Sequence, residues 1–375
     1  MAPMAKKPVV APTRFTAGRT RFLWVGLLAL IIGVFFIISP AFLKRSAAKE
    51  QVKLPAAVLE AIREIFPKAA VTEVGMEDED GLTLFVVEAK VGEKHVEVIA
   101  SPDGVVVEVS IPIRAADGPE AAMAAIQRVA EGAQITEIDT VGTCAEVCDG
   151  KLVELPAPRT TYWVEFERGD LWGEVTVAPD GMIVEVSTVP EARDVPEAAL
   201  ATIRKAAAGG QVTEISRDET HAEPVDGKLV RLDRPAVTYW AEFKKGDLWG
   251  DITVAPDGTV VEMSVEVEAK DVPEAVMAAI RKAAGGARIT ELGKEELHAE
   301  PAGGRFARLP KAEVYYWAEF EDGDAAGEVS VAPDGAVVEV LKWKTVTETR
   351  DEVSKKDRRV KLNRGRSPLP TSQAT

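Results

Sequence analysis

The sequence predicts an α+β protein: four tandem units, each one helix packed on a four-stranded antiparallel sheet, after a single transmembrane helix. Three observations carry this. Pro-Asp-Gly recurs at Pro102, Pro179, Pro256 and Pro333, at one constant interval. A proline opening an alanine-rich run recurs at Pro55, Pro119, Pro196 and Pro273, the first interval shorter than the two that follow. Residues 22–43, FLWVGLLALIIGVFFIISPAFL, contain no charge. As a helix that run is about 33 Å long, enough to cross a bilayer core.

Residues 1–21 read as a short cytoplasmic leader. Lys6, Lys7, Arg14, Arg19 and Arg21 precede the apolar run, and Lys44, Arg45, Lys49 and Lys53 follow it. The long acidic body favours a single-pass orientation in the cell membrane, with the N-terminus in and the repeats outside the cytoplasm. The alternative is a cleaved signal peptide, but the run is long for one and no clean small-x-small site follows it. The units then span residues 53–113, 117–190, 194–267 and 271–344. "VTEV" at 71–74 returns as "ITEI" at 135–138, "VTEI" at 212–215 and "ITEL" at 289–292, again with a shorter first interval. The first unit therefore lacks a stretch that the others insert between that strand and the strand equivalent to "TYW". Residues 149–181 and 226–258 are nearly the same string, as a recent duplication would leave them.

The third unit shows the pattern. Pro196 suits the first helical position. Ala199, Leu200, Ile203 and Ala206–Ala207 follow at helical spacing, and Gly209–Gly210 stop the helix. "QVTEIS" is a strand, Tyr239–Phe243 and Trp249–Ala255 form a hairpin, Pro256–Asp257–Gly258 is a turn, and "VVEMSVEV" is the last strand. Residues 345–375 form a basic tail with the composition of a disordered segment.

The net charge is −16, with eight bases and no acid in residues 1–49 and nine bases against four acids in residues 344–375, which leaves −29 for residues 50–343. An acidic body argues against nucleic-acid binding, which needs a basic patch.

The string "VPEAVMAAIRKAAGGARITEL…VYYWAEFEDGDAAGEVSVAPDGAVVEV" resembles the PepSY-like, β-lactamase-inhibitor-like domains, which share the Pro-initiated helix, the aromatic-then-Glu strand and the Asp-Gly turn. The resemblance extends over all four copies, from the first unit to the last. It implies an extracytoplasmic, often membrane-attached protein that binds or inhibits other proteins. No protease accompanies the repeats, and the insertion in the later three copies departs from the short form of the family.

Strand alternation puts Tyr162, Val164 and Phe166 on a helix-facing side and Trp163 and Glu165 on the other. Trp172 and Glu174 share that other side. A turn at Arg168–Gly169 would set Trp163 opposite Glu174 and Trp172 opposite Glu165. The third unit repeats the set as Trp240, Glu242, Trp249 and Asp251. The fourth keeps Trp317 and Glu319 but has Ala326 for its second indole, and the first has Val86 and His95. These indoles and carboxylates form a candidate binding face for a basic or amphipathic protein or peptide. The competing reading is that the insertion, or the next repeat, folds over the face. Because the insertion accompanies Trp163, Trp240 and Trp317, it is expected to cover them, leaving Trp172 and Trp249 as the more exposed pair.

Within the insertion, Cys144, His221 and His298 are equivalent, and Glu223 and Glu300 lie two positions beyond the histidines. His221, Glu223, His298 and Glu300 are candidate metal ligands, but two per copy are too few unless copies converge. Cys144 and Cys148 are the two cysteines, placed for a local disulfide or a redox pair. "RGD" at 168–170 becomes "KGD" and "DGD" in later copies and reads as a turn. No cofactor and no catalytic residues are indicated. The chain reads as a non-enzymatic binding protein; a metal- or redox-responsive envelope module and a spacer are the alternatives.

Overall fold

The computed structural model describes residues 54–344, apart from 80–81, 149–150, 170, 303 and 324. The expected leader, transmembrane helix (22–43) and basic tail lie outside the described residues. Among the described residues no helix is long and apolar enough to cross a membrane.

Four times, one helix precedes four strands. Helix α1 (Ala56–Ile65) is followed by β1 (Ala70–Glu79), β2 (Leu82–Val91), β3 (Lys94–Ala100) and β4 (Val106–Pro112). Helix α2 (Glu120–Val129) leads β5 (Gln134–Cys148), β6 (Lys151–Arg168), β7 (Leu171–Val177) and β8 (Ile183–Thr188). Helix α3 (Glu197–Ala207) leads β9 (Gln211–Val225), β10 (Lys228–Lys245), β11 (Leu248–Val254) and β12 (Val260–Glu266). Helix α4 (Glu274–Ala284) leads β13 (Arg288–Pro301), β14 (Phe306–Asp322), β15 (Ala325–Val331) and β16 (Val337–Lys344).

The expectation of four independent four-stranded sheets is overturned. All sixteen strands belong to one antiparallel sheet, and it closes on itself. The joints between successive segments are ordinary ladders, such as Ser110 beside Val141 and Ser187 beside Asp218. The last joint pairs β1 with β16, from Val74 beside Lys344 to Asp78 beside Val340. The reason is the edge problem: a lone four-stranded sheet leaves two unpaired edges, and closure removes them all.

Each helix buries an apolar stripe on the sheet. Ala122, Ala125 and Ile126 of α2 meet Val164, Phe166, Val175 and Val177. Ile203 of α3 meets Tyr239, Phe243, Ile252 and Val254, and Ile280 of α4 meets Phe320, Val329 and Val331. The opposite faces of the helices carry exposed charge, including Glu60, Glu197, Lys205 and Lys282. On the helix-free face the protein around Glu185, Glu262 and Glu328 is dense, as the concave side of a closed sheet makes it, so the helices sit outside the ring and the other face lines its interior. A closed sheet of sixteen strands is wide enough to hold water inside. A lipid-spanning barrel presents an apolar band outward; this one presents charged helices.

The Pro-Asp-Gly recurrence has a packing cause. Gly104, Gly181, Gly258 and Gly335 take φ of 80–90°, and a Cβ on any of them would come within 2.7–3.0 Å of a carbonyl oxygen in the first turn of the adjoining helix. Asp180, Asp257 and Asp334 each accept the backbone N–H two positions on, at 2.9–3.0 Å. The turn is the seat for the helix start. Gly173, Gly250 and Gly327 serve a second close approach: a Cβ there would enter the rings of Phe166, Phe243 and Phe320, which lie directly across the ladder.

Two helix ends differ from expectation. Pro196 is the residue before the helix, its carbonyl accepting the Leu200 N–H at 2.9 Å. The α3 stop is Ala208 in the left-handed region (φ 47°), where the equivalent position after α4 is Gly285 (φ 63°). Ala208→Gly should therefore raise stability by about 0.5–1 kcal/mol. Gly181→Ala should lower it by about 2–3 kcal/mol, strain and clash together, while Gly169→Ala, with open space around it, costs about 1 kcal/mol. Denaturant midpoints of the three variants check the order.

Candidate binding interior

The interior face carries one carboxylate from every strand. The first four strands contribute Glu73, Glu88, Glu97 and Glu108, with Glu88 beside both Glu73 and Glu97. The next contribute Glu137, Glu165, Glu174 and Glu185. Glu214, Glu242, Asp251 and Glu262 follow, then Glu291, Glu319, Glu328 and Glu339. Each neighbours a helix-facing apolar residue such as Val87, Val186, Met263 or Val340, so alternation turns it inward. The result is a belt of acid around the interior, to which Asp139, Asp218 and Glu295 add.

Like charges opposite one another are unfavourable, and the belt relieves this by holding protons. Burial, then repulsion from Asp218 and Glu174, lifts Glu185 to about 8. Burial, then Glu295 and Asp251, lifts Glu262 to about 8, and burial with Glu319, Glu339 and Glu295 does the same to Glu328. Glu174 and Asp251 rise to about 7, burial outweighing the indole hydrogen bonds from Trp163 and Trp240 that pull the other way. Glu319 also reaches about 7, through burial and its acidic neighbours. The protein around Glu185, Glu262 and Glu328 is dense, yet each keeps partial contact with solvent. That combination suits the wall of a water-filled interior.

The hairpin register differs from expectation by two positions. Arg168 pairs with Leu171, so Glu165 faces Glu174, Glu167 faces Trp172 and Trp163 faces Thr176. The expected turn at Arg168–Gly169 is corrected; an even-numbered slip leaves every side chain on its face. Trp163 still reaches Glu174 diagonally, Nε1 donating to Oε2 at 3.3 Å.

The indoles are held by neighbouring strands. The insertion makes β5 and β6 longer than β1 and β2, at 15 and 18 residues against 10 in each of the first pair. It continues their ladder to Cys148 beside Lys151, as the counterparts do in later segments. Trp163, Trp172, Trp240 and Trp317 are half-buried. Trp172 reaches forward to β9, its Nε1 donating to Glu214 at 3.3 Å, so it is less open than expected. Trp317 donates to Ser264 at 2.9 Å and lies across Gly293, where any Cβ would strike the indole. Trp249 is 39% exposed, with Lys244 Nζ 4.6 Å from its ring centroid. Trp240, Trp249 and Trp317 share a recess with Glu242, Asp251, Glu266 and Glu291.

The histidines do not converge with Glu223 and Glu300. His221 pairs with Glu219 at 3.4 Å and His298 with Glu296 at 3.1 Å, on β9 and β13, four strands apart in the ring. Among the described residues no group of three or more His, Cys, Asp or Glu is placed to hold a metal ion. Cys144 and Cys148 lie on one strand, β5, and are not joined. The stretch of strand between them spans about 13 Å, against the roughly 7 Å that a disulfide tolerates between Cα atoms. The expected local disulfide is excluded by the strand itself.

No family model matches the chain, and no curated protein matches it. Among solved structures, a BLIP-like protein from Bacteroides fragilis is 14% identical, with TM-score 0.28 over 39% of this chain and 93% of its own. A putative periplasmic protein from Bacteroides eggerthii is 14% identical, with TM-score 0.29 over 38% and 94%. A DUF2874 family protein from Bacteroides uniformis is 15% identical, with TM-score 0.28 over 35% and 87%.

Two outcomes test this geometry. In the native chain both cysteines should titrate with a thiol reagent without prior reduction; loss of two thiols to a bridge would contradict the β5 ladder. The belt also sets a pH dependence. Unfolded carboxylates titrate near about 4.3, and the raised folded values mean the folded chain retains protons between there and pH 7–8. Stability from these groups is full below about pH 4, where both states are protonated, and is lost progressively as pH rises from there to 7–8. Melting temperature should fall from pH 5 to pH 8.5, and Glu185→Gln should restore several degrees at pH 8.5 while changing little at pH 5.

Proposed function

We propose that this chain is a non-enzymatic, extracytoplasmic binding protein whose ring interior takes a cationic segment of a protein or peptide. The observation that carries the reading is the acidic belt, one carboxylate per strand, with indoles between the carboxylates. Extended cationic chains match such an interior in two ways. Lys and Arg can take the place of the protons that the belt holds, and their stems and charges stack on indoles. Lys244 over Trp249 is an intramolecular example of that contact. The same charge repels phosphate, which disfavours nucleic acid. Extracytoplasmic placement is proposed from the apolar run at 22–43, ahead of an acidic body.

Titration of the full chain with octalysine, followed by tryptophan fluorescence, tests the reading. Binding should weaken steeply with salt. Trp172→Ala together with Trp249→Ala should weaken it about tenfold. Equal affinity of octalysine and octaglutamate would overturn the proposal.

A further inference from the structure

We infer that the first occupant of the ring interior is the chain's own basic C-terminal segment, residues 345–375, which an external cationic ligand must displace. This rests on the binding mode proposed above.

The interior has acids that lack donors. Among the described residues none donates a hydrogen bond to Glu185, Glu262 or Glu328, and the charges that act on them are other carboxylates. Asp139 has a fully buried Oδ1 with no hydrogen-bond partner among the described residues, while its Oδ2 accepts from Ser110. Ionised oxygens left so are costly, which is why these groups hold protons, and a cation that reaches them can take the protons' place. Arg159 meets this need at one place, pairing with Glu146 and drawing Glu108 down against its burial. Ala236 and Glu313 occupy the equivalent positions in later segments, so no arginine serves there.

The segment has the complementary chemistry and the reach. It holds eight bases and four acids, and seven of the bases fall within 355–366, KKDRRVKLNRGR. It continues directly from β16, whose Glu339 belongs to the belt. Fully extended, residues 345–375 reach about 100 Å, well beyond the length of even the 18-residue strands of the wall, about 60 Å. Tethering raises the local concentration of those bases to about the millimolar range, so even weak individual contacts fill the site.

Zero-length carbodiimide coupling of the full chain tests the inference. Lys355, Lys356 or Lys361 should become joined to interior carboxylates such as Glu185 or Glu262, at a yield independent of protein concentration. The variant Lys355→Ser, Lys356→Ser, Arg358→Ser, Arg359→Ser should bind octalysine about tenfold more tightly than the native chain, because the competitor is weakened. Coupling of the tail lysines only to outer residues such as Glu60 or Glu197, or only between molecules, would overturn the inference. If the variant then binds octalysine with native affinity, the binding mode stands and the tail alone is removed from it. If neither protein binds octalysine, both readings fall together.

Discussion

The pairing of β1 with β16 is the constraint on which the other features depend. The residue pairs along that joint, from Val74 with Lys344 to Asp78 with Val340, convert a curved sheet into a ring. Without them the two sheet faces are merely two surfaces, and the carboxylates on one of them stand in open water. With them, one face becomes an enclosed wall, the helices are forced to the outside, and side chains from distant parts of the chain face a common space. The residues that close the joint are contributed by opposite ends of the described chain, so the wall exists only when the whole circuit is complete.

Two opposing tendencies are built on this ring. Outside, helix and sheet exchange water for each other: Val58, Ile126, Ile203 and Ile280 are wholly buried, and the turn glycines let each helix start sit directly on a hairpin. Inside, carboxylates face carboxylates across the ladder, Glu165 to Glu174 and Glu242 to Asp251. The apolar exterior contacts stabilise the ring enough for it to tolerate interior repulsion, which is relieved by retained protons. Such a division is typical of sites where stability is given up locally for binding.

The local parts of this arrangement were legible in the sequence. Alternation separates Tyr162, Val164 and Phe166 from Trp163 and Glu165, and the structure uses those two sides as outer and inner. The Pro-Asp-Gly turns and the hairpins also follow from neighbouring residues. Closure did not follow, because β4 with β5 or β1 with β16 is a non-local pairing that no turn residue specifies. For the same reason the belt was only half visible. Glu165, Glu174, Glu242 and Asp251 stand beside tryptophans and draw notice; Glu137, Glu214 and Glu291 lie in the plain "TE" strings, and their signal is recurrence alone. Glu214 is the residue that holds Trp172, which is why that indole was expected to be freer than it is. The disulfide expectation failed on a similar point: the spacing of Cys144 and Cys148 fits a bridge in a loop and not along an extended strand.

The short first hairpin gives the ring a bearing. Around most of the circuit the wall is raised by long ribbons, whose tips lean on the preceding ones, Gly227 against Leu155 and Gly304 against Arg234. At β1 and β2 the wall stops early, and the tryptophan positions there are Val86 and His95. A fourfold-looking ring thus has one low side, lying at the closing joint itself. The notch gives the vessel a direction: one rim carries Val86 and His95 at the positions where the later hairpins carry Trp163 and Trp172 or Trp240 and Trp249.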